Sequence, residues 1–141
     1  MEEMQINWMA FATAVVAQMI VGYLWFHPAV MGKIWARSLG KTYEDLTPKN
    51  PAVTYGIAFL LTLLFTMFLV ANVTGPGQED LKFHTFQHGI VHAITLALMI
   101  LLPVFGTPAL FEKRDWRWVL VHVGYWFCRI GVAAGILSYW R

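Results

Sequence analysis

The chain has 141 residues, of which 58% are hydrophobic and only 13% charged, with a formal net charge of +2. Soluble domains carry about 25% charged residues, so this deficit, with a mean hydropathy of +0.56, excludes a soluble enzyme and a disordered tail. No basic stripe is present to neutralise phosphates, which excludes a nucleic-acid binder, and the single cysteine, Cys128, excludes an internal disulfide framework or a cysteine-rich zinc site.

A membrane-crossing helix needs about 20 largely apolar residues. Four stretches qualify, near residues 8–26, 53–73, 86–105 and 118–140, so residues 1–141 read as one all-α integral membrane domain, a four-helix bundle. The first span carries Gln18 near its middle and is stopped by Pro28. Pro48 and Pro51 precede the second, which carries Thr66 and is followed by Gly75-Pro76-Gly77. His84 stands just before the third span, His88 and His92 lie within it, and Pro108 is expected to close it. The fourth carries Arg129. All eight Asp and Glu fall outside the spans, and Glu2 and Glu3 occupy the place of a signal peptide's basic region, so Met1 is expected to remain.

Lys and Arg set an orientation. Lys33, Arg37, Lys41, Lys49, Lys113, Arg114 and Arg117 gather on one side, against Lys82 and Arg141 on the other. Seven against two is a positive-inside bias that turns both termini away from the cytoplasm. Trp25, Lys33 and Trp35 after the first span, and Trp116, Trp118 and Trp140 at the two ends of the last, are the expected interfacial anchors. Lys33, Arg37 and Lys41 recur every four residues and would present a basic edge to anionic headgroups.

The halves of the chain share a short likeness. Pro28-Ala29-Val30-Met31-Gly32-Lys33 follows the first span and Pro108-Ala109-Leu110-Phe111-Glu112-Lys113 follows the third, with three identities in six. That pattern suggests either two duplicated helical hairpins or the ordinary end signals of membrane helices.

The stretch from Gly22 to Trp35, with Trp25, Phe26, Pro28, Gly32 and Lys33, resembles the signature of the domain-of-unknown-function 1761 membrane family, as do Leu110-Phe111-Glu112-Lys113 and the glycine-bearing last helix. Phe26 stands where tyrosine is usual and Met31 where phenylalanine is usual. The resemblance covers nearly the whole chain and implies a small four-span membrane protein whose role is not established.

Polar side chains inside hydrocarbon are costly and point to function. By depth, Arg129, His92, Thr66 and Gln18 fall together, in the outer half of the membrane. At 100° per residue, His122, Tyr125, Trp126 and Arg129 share one face of the last span, with Gly124, Cys128, Gly131 and Gly135 roughly opposite. The glycines are expected to let another helix approach, within the chain or in an oligomer. Three accounts of the polar cluster stay open. It is structural; or His84, His88 and His92, four apart, hold a metal or haem; or Arg129, with His92, Gln18, Thr66 and Tyr125, binds a carboxylate or phosphate. No nucleophile–base pair or carboxylate dyad is visible. The functional expectation is an oligomeric membrane component, embedded in lipid with copies of itself or other subunits. The alternatives are a small-solute or ion carrier and a His-ligated metal or haem protein.

Overall fold

The computed structural model describes residues 5–141. Glu2, Glu3 and the expected retention of Met1 lie outside the described residues. Four helices are long and apolar enough to cross a membrane: Trp8–Trp25, Pro51–Thr74, Phe86–Phe111 and Trp116–Tyr139. The described residues are all-α, and each span begins on a side-chain cap. Asn7 accepts from the Met9 and Ala10 N–H groups at the start of α1 (Trp8–Trp25). His27 Nδ1 accepts from Ala29 N–H at 3.1 Å and opens a wide π turn, Pro28–Gly32, into the short α2 (Lys33–Ser38). Asn50 caps α3 (Pro51–Thr74), with Pro51 in the first turn where its missing N–H costs nothing. Thr85 caps α4 (Phe86–Leu96), which passes through a second π turn, Ala97–Leu101, into α5 (Leu102–Phe111). Asp115 caps α6 (Trp116–Tyr139).

Pro108 does not close the third span. The helix runs through it to Phe111 and ends where Lys113 turns left-handed, φ 52°, and Arg114 N–H reaches back to Ala109 O at 2.9 Å. A proline removes one hydrogen bond, whereas ending the helix there would strip several backbone groups of partners at a depth with little water to replace them. The hexapeptide copies therefore differ in conformation: Pro28 opens a turn after a broken helix end, and Pro108 lies inside a helix.

Helix α6 is the hub, touching α1, α2, α3, α4 and α5. Small side chains make this packing dense: Ala10 and Ala14 of α1, Ala93 of α4, and Ala133 and Ala134 of α6 are buried with Leu69, Val73 and Ile130. The closest approach is between α4 and α6. A Cβ on Gly89 would lie 2.2 Å from the Gly135 backbone N and 2.3 Å from the Ala134 carbonyl carbon. Gly131 faces Ile90 of α4 and Gly124 faces the Trp25 ring of α1. All three glycines expected to pack are thus covered within the chain, by two different neighbours.

Candidate functional site

Arg129 lies near the middle of α6, only 8% exposed. Long side chains on a helix lean toward its N-terminus, and here the guanidinium leans toward Tyr125, one turn back. Nη1 donates to Tyr125 Oη at 2.7 Å, Nε to Gln18 Oε1 at 2.9 Å and Nη2 to Thr62 Oγ1 at 2.5 Å, so three helices hold one cation. The Trp126 ring flanks it, 4.7 Å from the guanidinium carbon, an added cation–π attraction. Gln18 is fixed in turn. Its Nε2 donates to Thr66 Oγ1 at 2.7 Å and to Ala14 O at 3.2 Å, while the Thr66 and Thr62 hydroxyls donate to Thr62 O and Ala58 O, each at 2.7 Å. Gln18, Thr62 and Thr66 are fully buried.

No carboxylate pairs with Arg129 among the described residues. Its acceptors are all neutral, and three of its five N–H donors are used. The site opens into a cavity of about 680 Å³ that runs from Gln18, Thr62, Tyr125 and Arg129 to the first loop at Tyr43, Leu46, Thr47 and Pro48. Between these ends the walls are largely aromatic: Tyr23, Phe26, Trp35 and Tyr55, with His27. Loop residues 42–45 are closed by the Thr42 N–H, which donates to the Asp45 carboxylate at 2.9 Å and holds that carboxyl below the usual aspartate range.

The expected association of Arg129, Gln18, Thr66 and Tyr125 is present, and Thr62, which the sequence reading passed over, completes it. His92 belongs elsewhere. Its Nδ1 lies 2.6 Å from Asn72 Oδ1 of α3 and its Nε2 lies 3.1 Å from His88 Nε2. Depth along a helix locates a residue in the bilayer but says nothing of the direction in which it points. The cavity runs from Arg129 toward the end of the bundle that carries the Lys- and Arg-rich first loop, the end at which α6 starts and toward which Arg129 leans.

His88 and His92 meet, but His84 does not join them. It follows the 3-10 turn Leu81–Phe83, ahead of the first residue of α4, so the helical spacing does not extend to it. It lines a separate cavity of about 270 Å³ at the opposite end, with Asn7, Glu79, Trp140 and Arg141. Among the described residues no three His, Cys, Asp or Glu side chains gather as a metal-ligand group. The three-histidine site is therefore not formed.

Two expected anchors also pack within the chain. Trp25 is half-buried, its Nε1 donating to Val121 O at 3.1 Å, and Trp35 packs on Phe26 at 4.7 Å as part of the cavity wall. Their neighbours are helix faces, because the break at His27–Pro28 folds α2 back onto α6. Trp116 and Trp140 are exposed, as are Lys33, Arg37 and Lys41, while Trp118 is half-buried beneath the Arg114 guanidinium, 4.7 Å away.

The sequence profile of a family described as "Protein of unknown function (DUF1761)" matches residues 9–138. No curated protein and no solved structure matches the chain.

Proposed function

The chain belongs to the DUF1761 family, and for this member we propose that it binds, and carries across the bilayer, a small anionic solute held by Arg129. The observation that supports this reading is a guanidinium buried at the deep end of a large cavity with only neutral acceptors around it among the described residues. A structural arginine in hydrocarbon gains most from a fixed countercharge, and a carboxylate or phosphate would supply one to a planar donor fork. Tyr125 adds to the donors: its Oη accepts from Arg129 and keeps its own O–H for a ligand. In the orientation that the Lys and Arg distribution favours, the loop end of the cavity faces the cytoplasm, and Lys33, Arg37, Lys41 and Lys49 raise the local anion concentration beside it.

The test is anion binding and uptake by protein reconstituted in vesicles of neutral lipid. Saturable binding is expected for the wild type, lost in Arg129→Gln and weakened in Tyr125→Phe, which keeps the ring and removes only the hydroxyl. Uptake that ignores both substitutions, or no binding of any carboxylate, phosphate or halide, would overturn the reading.

A further inference from the structure

Resting on the anion-site reading above, we propose that the occupant is a compact aromatic monocarboxylate, its carboxylate on Arg129 and Tyr125 and its ring against the aromatic wall. One guanidinium with no Lys or second Arg among the described residues that line the cavity balances a single negative charge, so a dianionic phosphate would carry surplus charge into hydrocarbon. From that charged floor an aromatic ladder climbs toward the loop. The Tyr125 and Phe26 rings lie 4.9 Å apart and Phe26 and Trp35 4.7 Å apart, and Tyr23, Tyr43 and Tyr55 complete the lining. Such surfaces favour a planar ring through offset or edge-on contacts. The volume of about 680 Å³ lies within the range of about 300–1,000 Å³ for pockets that enclose small organic ligands.

The direction of the cavity separates this ligand from a lipid. Its charged end is near the middle of the helices and its far end is bounded by Tyr43, Leu46, Thr47 and Pro48 of the loop. A bilayer amphiphile keeps its charge at the interface and its chain in the hydrocarbon, the reverse of this arrangement. A short acid held between the two ends satisfies both, with the Tyr23, His27 and Tyr43 polar tips available to a substituent on the far side of the ring.

Calorimetric titration of the full chain in neutral-lipid nanodiscs tests the assignment with four probes: benzoate, cyclohexanecarboxylate, acetate and inorganic phosphate. Benzoate is expected to bind tightest, with cyclohexanecarboxylate ~2- to 10-fold weaker, the value of an aromatic contact, and acetate and phosphate weaker still. Trp35→Leu should weaken benzoate and leave acetate unchanged, a separation that general misfolding would not produce. Arg129→Gln should abolish benzoate binding. If acetate or phosphate matches benzoate and depends on Arg129, the ligand class is wrong while the anion site stands. If benzoate binds wild type and Arg129→Gln alike, it is partitioning into lipid and the aromatic assignment falls; if acetate and phosphate show no Arg129-dependent binding either, the anion site falls with it.

Discussion

Thr62 and Arg129 share one hydroxyl: Thr62 Oγ1 donates to Ala58 O at 2.7 Å and accepts from Arg129 Nη2 at 2.5 Å. The threonine thus satisfies its own proton on α3 and turns a lone pair to the cation on α6. Thr62→Val preserves shape and removes that acceptor from a buried charge. The expected cost is about 1.5–3 kcal/mol, the value of a hydrogen bond to a charged group. Thr62→Ser, which keeps the oxygen, should cost less. Unfolding followed by tryptophan fluorescence in detergent distinguishes the pair; equal losses would mean that the hydroxyl does not hold Arg129.

Gly89 and Gly135 set a second expectation. Because a Cβ on Gly89 would lie 2.2 Å from Gly135 N, Gly89→Ala forces two backbones apart. Overpacking of this kind costs typically about 1–3 kcal/mol. Gly131→Ala meets the flexible end of Ile90 at 3.3 Å and should be milder. The same unfolding assay gives the ranking, and a Gly131→Ala variant as damaged as Gly89→Ala would contradict the packing of α4 on α6.

Hydropathy alone carried the spans, because crossing hydrocarbon demands a length of apolar sequence that little else requires. It could not carry helix continuity through Pro108, which depends on the cost of orphaned backbone groups. Within the site, Arg129, Gln18 and Thr66 stood out as polar residues at shared depth and Tyr125 as a neighbour of Arg129 on one face of the last span, and the four do meet. Thr62 was silent because a helical threonine usually bonds its own i−4 carbonyl, as this one does. His92 misled for the complementary reason: its depth matched Arg129, but its azimuth on α4 turns it to Asn72. Gly89 escaped notice since the glycines of α6 form a visible run, whereas their partner on α4 stands alone.

Orientation is open to direct measurement. With Cys128→Ser as background, Lys41→Cys and Lys82→Cys place thiols at exposed sites at opposite ends of the bundle. The positive-inside bias predicts that an impermeant maleimide labels Lys82→Cys from the outside of intact cells and Lys41→Cys only after permeabilisation. The reverse pattern would invert the cavity, directing its loop end outward. Labelling of both from one side would contradict four crossings.

The last expectation concerns the polar chain that joins α4 to α3. Asn72 Oδ1 can only accept, so the neutral His92 tautomer that fits it has Nδ1–H donating to Asn72 and Nε2 left to accept from His88 Nε2 across 3.1 Å. This chain ties together two helices that otherwise meet mainly through α6, which suggests that it fixes their relative rotation. Asn72→Leu and His92→Phe should each destabilise the bundle, and their double mutant should lose less than the sum. Coupling of about 0.6 kcal/mol, and no more than about 1.7, is the range for such bonds between membrane helices. A parallel cycle of His92→Phe with Arg129→Gln should be additive within about 0.5 kcal/mol, as sites without a shared partner are. The pair of cycles therefore asks which neighbour His92 answers to. Coupling to Arg129 and none to Asn72 would restore the arrangement that depth alone suggested and would separate the Arg129 network from the cavity geometry argued for it.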